Sequence, residues 1–182
     1  MLLPVFIEVT GSRAWVDLKL FPLFGVKFML TNIILGGTIL SNKLMGAAAI
    51  IFDSERRILL VKHSYGKNNW DLPGGKSEEN ESAQETAKRE VLEETGLKVE
   101  VGQLTGIYYD PNYDMHHFVF ISNNENNQEP EPSSPEILEC RYCSIDDLPK
   151  PISDFTYKRI QDALKNDRQH LFHTIGPRQW IE

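Results

Sequence analysis

The stretch SAQETAKREVLEETG, residues 82–96, constrains this chain more than any other. Ser82 followed three residues on by Glu85 is a capping box, which marks the start of a helix. Gly96 suits the left-handed residue that ends one. Between them, Ala83, Ala87 and Val91 recur every four residues and predict a narrow buried stripe of small side chains. The same helix carries Glu90, Glu93 and Glu94 within one turn. At about 100° per residue, Glu94 lies about 40° to one side of Glu90 and Glu93 about 60° to the other. The acids therefore crowd the edge of the apolar stripe, while Lys88 and Leu92 fall on the far side. Desolvated anions need positive partners. Helix geometry alone leaves two explanations: an acidic surface helix, or a helix that holds cations. With only oxygen ligands and no His or Cys nearby, the ion would be a hard one, Mg²⁺ or Mn²⁺.

The flanking pattern alternates strands with helices. GAAAIIFD (46–53) and RILLVKH (57–63) are apolar runs separated by a turn-like DSER, reading as strand, turn, strand. Residues 63–80 read as a long Gly-, Asn- and Ser-rich loop, and loops of that length tend to be functional. LKVEV and LTGIYYD read as strands with a kink near Gly102, and MHHFVFIS and ILECRYCSI as further strands. NNENNQEPEPSSPE between the last two has little composition to order it by itself. Residues from about Asp154 to Lys165 read as a closing helix. Strands before, between and after two helices predict a mixed α/β sandwich. The expected organisation is an apolar extension over 1–45, a domain over 46–166 and a tail over 167–182.

Charge and composition narrow the classes. The 182-residue chain has a formal net charge of −7, unsuited to gripping a DNA duplex through its phosphates. A bound divalent cation can still reverse the local sign for a small phosphorylated ligand. Cys140 and Cys143 form a lone C-x-x-C in a strand, where residues three apart face opposite ways, and read as ordinary strand residues in a reducing compartment. GGKS at 74–77 lacks the upstream glycine of a phosphate-binding loop, position 70 being Trp. Residues 21–40 are apolar but carry Lys27, Pro22 and Gly36-Gly37. They predict a segment packed on the domain, with peripheral membrane contact as the alternative. The N-terminus has no basic region or small-residue cleavage site, and a cytoplasmic location is expected.

Spacing decides between the two explanations of the acidic helix. Gly75 is followed after five residues by Glu81, and seven residues later come Arg89-Glu90, Val91, Leu92, Glu93-Glu94, Thr95, Gly96 and Leu97. This resembles the Nudix box, G-x5-E-x7-R-E-U-x-E-E-x-G-U with U aliphatic, at every defined position. The resemblance reaches Pro73-Gly74 and, more loosely, residues 46–166. It implies an α/β/α sandwich around a mixed β-sheet and a Mg²⁺-dependent hydrolase of a nucleoside diphosphate linked to another moiety. Mn²⁺ would be a possible substitute. It implies Glu90 and Glu94 as principal metal ligands, and Glu93 as a further ligand or a base. The Gly74 carbonyl would be the loop ligand, Gly75 would permit the tight path from loop to helix, and Arg89 would pair with Glu81. In several members of the family a glutamate outside the box acts as base or extra ligand. Glu125, Glu129, Glu131 and Glu136 lie in the right region, and Glu136, at a loop-to-strand junction, is the choice here.

The resemblance leaves the substrate open. Subfamilies are marked about 15 positions past the box by Pro or Tyr, and YYDPNYD offers both Pro111 and Tyr113. Tyr108, Tyr109, Tyr113 or Trp70 could stack on a base, although each also suits plain packing. Of His116 and His117, adjacent in a strand, only one can face a given cleft. The expected partner is a small nucleotide of the ADP-ribose, dinucleoside polyphosphate, nucleotide sugar or NTP class. The alternatives are an RNA 5′-pyrophosphohydrolase, which needs a basic approach, and a non-catalytic nucleotide-sensing domain. An isomerase on the same fold would need a catalytic cysteine motif that is not evident.

Overall fold

The computed structural model describes residues 43–124, 128–165 and 170–182, together with the backbone of four short strands upstream. The chain divides into two compact units, Met1–Asn42 and Lys43–Glu182. In the first, β1 (Val5–Val9) pairs antiparallel with β2 (Ser12–Val16), and β3 (Ile34–Leu35) with β4 (Thr38–Ile39). Apart from those last two strands, the segment 21–40 lies outside the described residues. Among the described residues no helix is long and apolar enough to cross a membrane.

The second unit runs β5 (Leu44–Ile51), β6 (Ile58–His63), β7 (Trp70–Asp71), β8 (Gly74–Lys76), α1 (Ala83–Thr95), β9 (Val99–Asp110) and β10 (Met115–Asn124). It continues with β11 (Ile137–Cys143), β12 (Ile152–Ser153), α2 (Asp154–Lys165), β13 (Phe172–Thr174) and β14 (Trp180–Ile181). The strands form two mixed sheets, ordered β13-β9-β10-β5-β8 and β11-β6-β7-β12-β14. The two runs expected around DSER are strands, but they enter different sheets, and their ladder is limited to a bridge from Phe52 to Ile58 beside the turn. β5 pairs instead with β10, in parallel, and with β8. The tail contributes β13 to one sheet and β14 to the other, so residues 172–181 are built into the same unit as the domain.

Strand periodicity explains how both faces fill. Ala48 and Ile50 on β5, with Ile58 and Leu60 on β6, join Phe155, Ile160 and Ala163 of α2 in one buried cluster. Their neighbours Ala49, Ile51 and Leu59 turn the other way and meet Val91 of α1. A strand covered on both faces reads as a continuous apolar run, which is why GAAAII has no polar alternation. β9 is a single strand, but its register against β10 slips beside Gly102 and Gln103, where the kink was expected.

Local chemistry sets the limits of the helices. Ser82 and Glu85 exchange hydrogen bonds, with Glu85 Oε2 accepting from the Ser82 N–H at 2.8 Å, and Gly96 takes φ 69°. The polar segment after β10 is tied to the helix end: the N–H groups of Glu131 and Ser133 donate to the carbonyls of Thr95 and Glu94. Those carbonyls lack partners inside the helix, so a loop with no core of its own is held by the caps it supplies. On α2, Ser153 Oγ accepts from the Thr156 N–H at 3.0 Å, a capping contact at the helix start.

Candidate active site

The site forms where β8 meets α1. The loop expected over 63–80 contains two short strands, and β8 is nearly all glycine, a poor strand former by itself. It is a strand because β5 offers it a ladder, with Gly75 opposite Ala47 and Gly74 opposite Ala48. That pairing lays two side-chain-free residues against the acidic face of α1. A Cβ on Gly75 would fall on the Glu90 carboxylate, so only glycine lets the acid reach the loop. The Gly74 N–H donates to Glu94 Oε2 at 2.9 Å.

The three helix acids have different surroundings. Glu94 is 7% exposed. Burial, with Glu90, Asp71 and Glu136 adding negative charge, pushes its carboxyl up to about 8 despite the Gly74 hydrogen bond. Glu90 is half-buried and its carboxyl is also raised, chiefly by burial and against the pull of Arg89. Glu93 faces solvent, its side chain 54% exposed.

A brace holds these acids in place. Arg89 grips Glu81 with two bonds, Nε to Oε1 at 2.7 Å and Nη2 to Oε2 at 3.0 Å. Its Nη1 reaches both Glu90, at 2.9 Å, and Glu93, at 3.0 Å, and Nη2 also donates to the Lys76 carbonyl at 2.9 Å. One planar guanidinium thus joins the loop, the helix acids and Glu81, a geometry a lysine could not supply. The Arg89 bonds, with help from the Glu78 N–H and the Thr86 hydroxyl, hold the Glu81 carboxyl down at about 2. Glu136 lies just before β11 with its carbonyl accepting from the Ser64 N–H at 2.7 Å. Its negative charge adds to the effects that raise Glu94 and opposes the lowering of His63, but it is not among the residues that line the cavity beside the glycine loop. Glu129 acts on Arg57 and Tyr142, elsewhere on the molecule. Glu125 lies outside the described residues.

The donor set fits a hard cation that keeps part of its own shell. Among the described residues no three His, Cys, Asp or Glu side chains converge as a closed cage. Mg²⁺ does not require one: it retains several waters and takes one or two carboxylates plus substrate phosphates. Glu90 and Glu94, both packed on the Gly74-Gly75 loop, match that requirement with oxygen alone.

Beside Gly74 and Gly75 lies a cavity of about 260 Å³. Buried His63 and Arg159 and partly buried Asp71 and His117 supply its inner wall, Lys76 and Arg178 also line it, and Tyr65 and Tyr113, 52% and 62% exposed, form its rim. Of the four aromatics weighed for stacking, only Tyr113 lines this cavity. Tyr108 and Trp70 are core residues, and Tyr109 lines a separate hollow with His116. His117 is the one of the adjacent pair that faces the cavity. Three donors meet at Asp71 Oδ1: the Leu72 N–H, the Thr156 hydroxyl and Arg159 Nη2. Burial opposes the Asp71 charge, but Arg159 and Thr156 hold its carboxyl below the ordinary value. Sequence reasoning missed this wall. A signal was present: Arg159 falls midway between Phe155 and Ala163, within the buried stripe of α2.

The family model described as NUDIX domain matches residues 42–163. The chain belongs to the Nudix family. The "Putative 8-oxo-dGTP diphosphatase" of Bacillus subtilis is 42% identical over 78 residues, covering 42% of this chain and 52% of that protein. The mouse "Diphosphoinositol polyphosphate phosphohydrolase 3-alpha" is 39% identical over 77 residues, covering 41% of this chain and 46% of its own. The match therefore spans about half the length of each of these relatives. A solved Nudix hydrolase from Nitrosomonas europaea superposes with a TM-score of 0.63 at 22% identity, over 77% of this chain and 83% of its own. That likeness shows the Nudix fold. The Nudix box itself is the β8–α1 corner just described.

Proposed function

We propose that the chain is a Mg²⁺-dependent pyrophosphohydrolase acting on a nucleoside diphosphate linked to a further moiety. Glu94 carries the reading. It is a buried carboxyl whose hydrogen bond comes from a backbone N–H, and the strongest charge effects on it, from Glu90, Asp71 and Glu136, are negative. An anion so placed is stabilised by a cation. Glu90 and Glu94 would hold that cation with the Gly74 carbonyl, and Glu93 would contribute directly or through water. A divalent ion there would screen the phosphates, polarise a phosphorus–oxygen bond and lower the pKa of the attacking water. Arg89 and Glu81 keep the acids registered against the loop. Glu136 is our assignment for the base that takes the proton, because it is exposed and its charge reaches Glu94. Relatives named for 8-oxo-dGTP and diphosphoinositol polyphosphate support a diphosphate bond as the target. The test is a panel of ADP-ribose, dinucleoside polyphosphates, nucleotide sugars and NTPs with Mg²⁺. Metal-dependent release of a nucleotide product from at least one member is expected. No turnover across the panel would overturn the reading.

A further inference from the structure

The family match ends at residue 163, yet Arg178 lines the cavity beside Gly74 and Gly75. The segment that carries it is pinned on both sides. The Ile175 N–H donates to the Tyr109 carbonyl at 2.9 Å. Gln179 exchanges two bonds with Asp154, the first residue of α2. Its carbonyl accepts from the Asp154 N–H and its own N–H donates to Asp154 Oδ1, each at 2.9 Å. Arg178 is therefore held at the cavity by the backbone around it, with its side chain 35% exposed.

The Arg178 guanidinium has donors to spare. Its Nη2 lies 3.9 Å from Asp110 Oδ2, beyond hydrogen-bond range, and the group sits 5.1 Å from the centre of the Phe155 ring. The Arg159 guanidinium lies 4.1 Å from the centre of the same ring. Two cations sharing one ring repel, and Arg178 opposes the charge of Arg159. The lining residues include three cations, Lys76, Arg159 and Arg178, and one acid, Asp71, already engaged by Arg159. Burial, then Arg159 and Arg178, push His117 down to about 4. Hydrogen-bonding groups are also left over. Arg159 Nε, His117 Nε2 and both ring nitrogens of His63 are buried without a partner, although native proteins satisfy nearly all buried polar groups. Surplus positive charge and unused N–H donors around one hollow match an anion with several acceptor oxygens, a phosphate.

We propose that Arg178, together with Lys76, determines specificity by holding a phosphate of the substrate that lies beyond the diphosphate. The chain then favours substrates whose further moiety is itself phosphorylated over those that end in an uncharged sugar. This rests on the reading of the β8–α1 corner as the phosphate-processing site. Arg178 lies outside the matched domain, so the preference comes from the tail and not from the box.

Binding tests the proposal without requiring turnover. The full chain, dialysed free of metal, is titrated calorimetrically with inorganic pyrophosphate. Without a cation the acidic face of α1 repels the probe, so binding reports the basic side of the cavity. The parent should bind, and Arg178→Gln should bind about tenfold more weakly or worse, as expected for lost charge-assisted hydrogen bonds. Lys76→Gln, at an exposed position where folding is not at risk, should also weaken binding. Lys98→Gln, which removes an exposed lysine outside the cavity, should not. UTP and UDP-glucose share uridine diphosphate and differ in ending on a phosphate or an uncharged sugar. UTP should bind the metal-free parent more tightly, and Arg178→Gln should bring the ratio close to one. No pyrophosphate binding by the parent, equal weakening by Lys98→Gln, or an affinity unchanged in both Arg178→Gln and Lys76→Gln would overturn the assignment. So would equal binding of UTP and UDP-glucose by the parent. A chain that binds through Arg178 but hydrolyses no member of the panel would retain the anion site and lose the enzymatic reading. One that hydrolyses while its binding ignores Arg178 and Lys76 would do the reverse.

Discussion

The backbone N–H of Gly74 donates to the Glu94 carboxylate across 2.9 Å, joining a strand of one sheet to the last turn of α1. The bond orients the acid but does not neutralise it. Glu94→Gln keeps a side-chain oxygen for the Gly74 N–H and removes the carboxyl that burial and neighbouring acids hold up at about 8, the group a cation would draw into its ionised form. If Glu94 holds the metal as proposed, turnover of the best panel substrate should fall by about a hundredfold or more. The metal-free variant should melt no lower than the parent. Undiminished turnover would show that Glu94 is not a ligand.

Glu81 contributes through Arg89, and its effect depends on pH. Its folded carboxyl is held at about 2, below the ordinary 4.5. A depressed acid stabilises the fold above its unfolded pKa and loses that contribution as pH falls through the folded value. Glu81→Gln should therefore melt below the parent at pH 7. The gap should narrow below pH 4.5 and be nearly closed at about 2. Melting curves across that range check it, and a gap independent of pH would contradict the ion-pair account.

Gly75 is needed for space, because any Cβ there would meet the Glu90 carboxylate. Gly75→Ala should displace Glu90 and weaken metal use more than folding. Chelation with EDTA should abolish turnover of the parent, and added Mg²⁺ should restore it. In the variant, half-restoration should need about tenfold more Mg²⁺, in line with losses when the support of a metal ligand is disturbed. An unchanged Mg²⁺ requirement would mean that Glu90 does not depend on the loop.

These predictions concern residues that differ in how plainly the chain displays them. The α1 boundaries follow from Ser82, Glu85 and Gly96 because caps are local chemistry, and Glu94 was placed at the buried edge by helical rotation alone. The described α2 matches the segment from Asp154 to Lys165 for the same reason. β8 was hidden because glycine has no strand preference; β5 confers its conformation, and pairing between distant segments leaves no local mark. The division into two sheets was hidden likewise, since DSER specifies a turn and not which partner each run takes. The cavity wall draws His63, Asp71, His117 and Arg159 from four elements, and only the closed fold makes them neighbours.

Asp71 and Arg159 give the sharpest test of that closure. The two are 88 positions apart, and both line the cavity. Their side chains are 17% and 5% exposed. Breaking such a pair leaves one charge buried without its partner, which typically costs about 3–5 kcal/mol. Replacing both with neutral groups of similar volume is often close to neutral. Asp71→Asn and Arg159→Met should each be strongly destabilising in urea unfolding, with the double variant far less so than their sum. The Thr156 hydroxyl also donates to Asp71, so Asp71→Asn retains part of that network and should be the milder single change. A double variant equal to the sum would mean that the residues act independently, and the cavity wall would then not be held by their pairing.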